Sequence, residues 1–298
     1  MNREAIFSDG TSEYRIPAEP EIGQYVRIIL RTGKDDIEYA CLRAAEDDRV
    51  VMLRFGTDEH FDYYQTSVRM GGESFSYYFE LKSGPEIVYY DRFGVTEDIR
   101  PQYRFNICPG FKTPDWVKGA VMYQILVDRF CRKDDTNDVL DDEYFYISGH
   151  VHHVSEWDRY PREFDVTEFY GGDIEGVRQK LNYLKSLGIE VIYFNPIFVS
   201  PSNHKYDTQD YDYIDPHYAR IVRDNGDVLS PDDNNNRNAT RFIERVTHRD
   251  NLEASNKFFA DFVAEAHANG IKVVLDGVFN HVGRGFWAFE NVLKNREA

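Results

Sequence analysis

Lys272-Val-Val-Leu-Asp-Gly-Val-Phe-Asn-His281 is the stretch from which the fold of this chain can be read. Val273, Val274 and Leu275 form an apolar run with no polar gap, the pattern of a parallel strand buried on both faces. Asp276, Asn280 and His281 follow at once, where strand gives way to loop. In a β/α barrel that end of a strand carries the chemistry.

Working backwards, two more apolar segments share this form. They are Ala120–Val127, which runs into Asp128-Arg129, and Ile189–Phe194, which runs into Asn195-Pro196. Helical patterns separate the three. One covers Asp173 to Leu187, with Ile174, Val177, Leu181, Leu184 and Leu187 on one face and Gly188 as its stop. The other is expected from a Ser255 cap to His267, burying Phe258, Phe259, Phe262, Val263 and Ala266. This βαβαβ order predicts a parallel sheet. Residues 128–170 and 224–253 are polar loops by pattern, the second with a short helix near Ala239–Val246.

Before Pro109-Gly-Phe-Lys-Thr-Pro114 the rhythm differs. Tyr25–Arg31, Arg49–Phe55, Ser74–Leu81 and Glu86–Tyr90 are short strand-like segments parted by turn-rich pieces such as Met70-Gly-Gly-Glu73. Such spacing predicts an antiparallel sandwich. The expected organisation is a β-sandwich over residues 1–113, then three β/α units of a (β/α)8 barrel over residues 114–298. A full barrel typically takes about 250 residues, so the chain is expected to stop after strand three.

Composition narrows the function classes. A net charge of -17 argues against nucleic acid or an anionic membrane as partner. The start has no apolar signal-peptide core, and no long apolar run exists. Three widely spaced cysteines, Cys41, Cys108 and Cys131, give neither a disulfide framework nor a zinc motif. A soluble cytoplasmic protein is the expectation. Aromatic residues make up 15% of the chain, which suits either β-cores or sugar stacking.

Polar residues at the ends of adjacent parallel strands converge on one pocket. Asp128-Arg129 reads best as an architectural ion pair. Asn203-His-Lys-Tyr-Asp-Thr-Gln-Asp-Tyr211 follows strand two. It reads either as an aromatic platform with hydrogen-bonding neighbours for a pyranose ring, or as a self-satisfied surface loop. Asp134-Asp-Thr-Asn-Asp138 and Gly171-Gly-Asp173 supply hard oxygen ligands of the calcium type, although taken alone the cluster reads better as a solvated acidic loop.

Taken together these motifs resemble the α-amylase superfamily of glycoside hydrolases. Asp276-Gly-Val-Phe-Asn-His281 resembles its first conserved segment. Val121–Phe130, Phe169–Asp173, Asn195-Pro-Ile-Phe198, Ser202–Tyr211 and Ile214-Asp-Pro216 resemble the neopullulanase, cyclomaltodextrinase and maltogenic amylase group. The resemblance implies an N-terminal starch-binding-like module and retaining hydrolysis of α-glucosidic bonds in malto-oligosaccharides, cyclodextrins or pullulan. His204, Tyr206 and His281 would bind substrate, Asp276 would hold a neighbouring basic group from behind the site, and Asn280 would be a loop anchor. Calcium would be held by Asp134, Asn137, Asp138, Gly171 and Asp173, with no organic cofactor. One departure stands out: Arg132-Lys133 replaces the Asn-Gly of the resembling pattern, and a cation there would repel calcium. Homodimerisation through the N-terminal module is common in the group. The family's catalytic nucleophile and acid/base lie on later strands, so they are expected beyond Ala298, and no residue of this chain is assigned to either role. The alternative is a non-catalytic α-glucan-binding protein or partner subunit.

Overall fold

A computed structural model describes residues 1–44, 48–163 and 165–295. It divides into two compact units, Met1–Lys118 and Gly119–Ala298.

The first unit is built from two antiparallel sheets. One orders Arg15–Ile16, Tyr25–Gly33, Phe61–Arg69 and Leu53–Thr57. The other orders Arg49–Val51, Tyr39–Arg43, Phe75–Ser83, Glu86–Asp91 and Gly94–Thr96, with Phe105–Ile107 also paired to Phe75–Ser83. The alternation of the sequence becomes the core: Val26, Ile28 and Leu30 from one sheet, and Tyr77, Phe79 and Leu81 from the other, are fully buried. The segment Arg49–Phe55, expected as one strand, is two. Met52 is buried at the crossing point, and its neighbours Val51 and Leu53 belong to different sheets and are exposed. Tyr39–Arg43 and Phe61–Arg69 are central strands that the pattern reading passed over.

The second unit carries a parallel sheet in the order Met122–Ile125, Val191–Phe194, Lys272–Leu275. The register sets Ile125, Phe194 and Leu275 side by side. Asn195 and Asp276 therefore leave the sheet at the same level, and Gln124 donates from Nε2 to Asn195 Oδ1 at 2.8 Å. This is the opening of a β/α barrel, with three of its strands in place.

Helices cover the sheet as the pattern predicts, with local corrections. The first is two short helices, Ile174–Gln179 and Leu181–Ser186, broken at Lys180. Asp173 caps it, accepting from the Gly176 N–H at 2.6 Å. Leu187 lies beyond the last turn and is 49% exposed, so it does not join the apolar face. The long helix runs Arg249–Ala268, capped by His248 rather than Ser255. Ser255 is buried mid-helix, and its hydroxyl bonds the Arg220 carbonyl at 3.0 Å. Phe262 and Phe259 meet Phe194 edge-on at 5.7 and 6.0 Å.

The two long loops are irregular but packed. Tyr144, Val151, Phe169, Leu229 and Ala239 form a small core of their own, and Phe242, from the helix Thr240–Thr247, stacks on Tyr144 at 4.0 Å. Among the described residues no helix is long and apolar enough to cross a membrane.

Candidate functional site

The segment after the second parallel strand is held from beneath. Lys205 is completely buried and sits at φ 61°. A left-handed lysine without solvent needs a strong reason to stay there. Its Nζ donates to Asp215 Oδ2 at 2.6 Å and to the Ser200 carbonyl at 2.7 Å, and it lies 4.9 Å from the centre of the Tyr218 ring. Asp215 Oδ1 lies 2.9 Å from His217 Nδ1, His217 Nε2 lies 2.8 Å from Glu143 Oε1, and Arg245 Nη1 donates to Glu143 Oε2 at 2.8 Å. Arg245 Nε continues to Asp224 at 2.7 Å. With His217 protonated the chain balances three cations against three anions.

Burial opposes the charge on Asp215, Glu143 and His217, and their partners outweigh it. Lys205 and His217 hold the Asp215 carboxyl well below the usual carboxylate range, and His217 and Arg245 lower Glu143. Glu143 and Asp215 raise the His217 imidazole. The His217 contribution to stability is full below its unfolded value of about 6.5 and is lost as pH rises through its higher folded value. The Asp215 and Glu143 contributions are full above about pH 4.5 and are lost as pH falls through their lower folded values. Thermal melts across pH are therefore expected to show this unit most stable in mildly acidic solution. His217→Gln should flatten the decline on the alkaline side, and an unchanged alkaline limb in that variant would refute the assignment.

With Lys205 pinned inward, its neighbours His204 and Tyr206 are placed at the upper surface. The Tyr206 hydroxyl donates to Asp276 Oδ2 at 3.0 Å, tying the loop after strand two to the end of strand three. His204 Nδ1 accepts from the Tyr206 N–H at 3.0 Å, and the two rings lie 5.9 Å apart. Burial lowers the His204 imidazole from its ordinary value, against the charge of Asp207, and the charge of Lys205 adds to the lowering. The loop bearing His281 is fastened by Tyr211, whose hydroxyl donates to the Val278 carbonyl and reaches the His281 carbonyl at 3.3 Å. Gly283 completes the seam. Its N–H donates to the Thr208 carbonyl at 2.7 Å, and a Cβ there would lie 2.1 Å from the Asp207 carbonyl oxygen. His281 and Asn280 are exposed, with the Asn280 amide 3.2 Å from His281 Nδ1.

The structure thus brings His204, Tyr206, Asp276 and His281 to one edge of the sheet. Two concavities flank them. A cleft of about 760 Å³ is lined by Tyr146, Asp207, Gln209, Phe242, Arg284 and Glu290, and a smaller one of about 340 Å³ by Phe198, Tyr211, Asp276 and Phe279. Aromatic faces beside polar groups can hold a sugar by its C–H face and its hydroxyls.

Sequence reading missed three contributors. Tyr211 fixes the His281 loop. Asp207 accepts from the hydroxyls of Ser200 at 2.6 Å, Ser202 and Tyr146, which overcome its burial and hold its carboxyl below the usual range. The Tyr193 phenol is raised by burial and by Asp276. Tyr193 sits one residue before Phe194 on the middle strand, so strand register would have found it.

Asp128 is not level with Asn195 and Asp276. The first strand ends at Ile125, and Asp128 and Arg129 lie in the helical turn Val127–Arg129. Asp128 is buried, accepts from the Tyr170 N–H at 3.0 Å and pairs with Arg129 at 2.7 Å. Arg129 bridges on to Asp165 at 2.8 Å, the architectural pair that its sequence suggested.

The five residues assigned to calcium by resemblance lie around one loop, but as placed they do not fit a divalent cation. Asp173 spends its oxygens on the backbone N–H groups of Lys133, Asp134 and Gly176 at 2.7, 2.9 and 2.6 Å. Asp134 is paired with Arg220, and both oxygens of Asp138 are taken by Arg132. Among the side chains of these described residues, the buried Asn137 Oδ1 lacks a partner. Among the described residues no three acidic, histidine or cysteine side chains converge as a metal site.

Comparisons with known proteins place the chain in a family. A family described as the α-amylase N-terminal ig-like domain matches residues 1–108, and the α-amylase catalytic domain matches residues 124–223. The chain is 33% identical over 312 residues to neopullulanase 2 of Thermoactinomyces vulgaris, covering 100% of this chain and 44% of that protein. It is 32% identical over 312 residues to a cyclomaltodextrinase of Thermoanaerobacter pseudethanolicus, covering 99% of this chain and 45% of that protein. A solved cyclomaltodextrinase superposes with a TM-score of 0.52 at 28% identity, covering 100% of this chain and 44% of that one. The chain spans less than half the length of these relatives. With the N-terminal and catalytic domains matched in order and relatives aligned along the whole chain, the chain belongs to the α-amylase family of glycoside hydrolases.

Proposed function

We propose that this chain belongs to an enzyme that hydrolyses α-glucosidic bonds in malto-oligosaccharides, cyclodextrins or pullulan, and that its contribution is to grip the sugar beside the cleaved bond. The observation that carries this reading is the 3.0 Å bond from Tyr206 to Asp276, which makes one surface of two loops. Tyr206 offers a ring face, His204 lines the pocket, and His281 donates to sugar hydroxyls. Asp276 orients Tyr206 from behind.

A retaining mechanism needs two carboxyl groups about 5–5.5 Å apart across the scissile bond. In this proposal they come from barrel strands other than the three in this chain. The sandwich unit would serve as the starch-binding-like module, and a homodimer through it would fit the pattern of the group.

Two measurements test the proposal. The enzyme carrying this chain should release reducing sugar from cyclodextrin, maltotriose or pullulan, whereas the purified 298-residue chain should bind cyclodextrin without turning it over. Binding without hydrolysis by the complete protein would instead make it a glucan-binding protein. Tyr206→Phe keeps the ring and removes the bond to Asp276. It should lower stability by about 0.5–1.5 kcal/mol and weaken cyclodextrin binding less than Tyr206→Ala does. Equal losses in the two variants would mean that the ring face does not contact sugar.

A further inference from the structure

The loop after the first parallel strand is crosslinked by arginines where oxygen ligands cluster. Arg132 Nε lies 2.9 Å from Asp138 Oδ2 and 3.2 Å from Oδ1, and Nη2 also bonds Oδ2. Asp138 is buried, so this fork-to-fork pair is largely shielded on the carboxylate side. Gly171, at φ 78°, leaves no spare volume: a Cβ there would lie 2.3 Å from Asp138 Oδ1 and 3.1 Å from Arg132 Cδ. Arg220 performs the same task one step away. It pairs with Asp134 and with Glu175 at 2.8 Å, and its guanidinium lies 4.0 Å from the centre of the Phe258 ring. An adjacent open cleft of about 540 Å³ is lined by Arg132, Lys133, Asp135 and Lys180.

We propose that the Arg132 guanidinium takes the place of a divalent cation in this loop. It neutralises Asp138, holds it against Gly171 and orders residues 131–138 without metal. A planar fork with fixed donors suits a carboxylate, and unlike a bound ion it cannot be lost to a chelator. Arg132→Asn frees both oxygens of Asp138 in a loop that also holds the unpartnered Asn137 Oδ1, hard donors of the kind calcium takes.

The test is thermal unfolding of the full chain with EDTA or with excess calcium chloride, alongside calcium titration by calorimetry. The wild-type Tm should agree within about 1 °C between the two conditions, with no binding heat. Arg132→Asn should melt lower than wild type in EDTA and regain roughly 5 °C or more with calcium. Folding of that variant only with calcium would support the proposal equally. A wild-type chain that binds one calcium, or loses several degrees in EDTA, overturns it. So does an Arg132→Asn variant that is as stable as wild type in EDTA. Should the variant fold in neither condition, the wild-type response to EDTA decides alone.

Discussion

Replacing Asp215 by alanine will destabilise the second unit by about 3–5 kcal/mol, the cost of stripping one partner from a buried charge network. The carboxylate is fully buried and accepts four hydrogen bonds: from Lys205 Nζ at 2.6 Å, His217 Nδ1 at 2.9 Å, and the backbone N–H groups of His217 and Ser200 at 3.0 and 3.1 Å. Without it, Lys205 keeps only the Ser200 carbonyl at 2.7 Å and the ring faces around it, while His217 keeps Glu143. Urea unfolding should show the loss, and the Tm should fall by roughly 10 °C. Lys205→Met should cost less, because Asp215 retains His217 and two backbone donors. A loss below about 1 kcal/mol in Asp215→Ala would show that water replaces the missing carboxylate and that the network is not the keel of this loop. The same variant should weaken cyclodextrin binding, since Lys205 stands between His204 and Tyr206 in the chain.

His281→Ala, made in the enzyme that carries this chain, should lower kcat/KM by roughly 10- to 100-fold, equivalent to losing one hydrogen bond that is strengthened in the transition state. The Tm should hardly change, because His281 is exposed and its loop is fastened by Tyr211 and Gly283. That split between activity and stability separates contact with substrate from support. Unchanged kinetics in a folded variant would remove His281 from the site. A matching fall in Tm would make it a loop residue whose kinetic effect is indirect.

Comparison of expectation and structure shows where pattern reading works. Strands with a continuous apolar run or strict alternation, such as Val191–Phe194 and Phe75–Ser83, were found because burial on one or both faces is written locally in the residue order. Boundaries were less secure. Ser255 has the chemistry of a cap but sits mid-helix, because Asn251, Leu252 and Ser255 are buried in the turn before the aromatic face and extend the helix back to Arg249. Met52 divides an apolar segment between two sheets, and no local signal marks the crossing.

The order of the chain by itself determined the two architectures and the strand-end motifs, because periodicity and the polar break after an apolar strand are properties of neighbouring residues. Only the tertiary structure decided what the charged residues do. Lys205 looks like one more polar residue in a sugar-facing loop, yet it is the buried anchor of that loop, its charge paired with Asp215, 10 positions along the chain. Arg132 reads as a flaw in an oxygen-rich cluster and Asp138 as one of its ligands, yet they are each other's partners. Coulomb pairing in a dry interior depends on distances between separate segments, and the chain must fold before those distances exist.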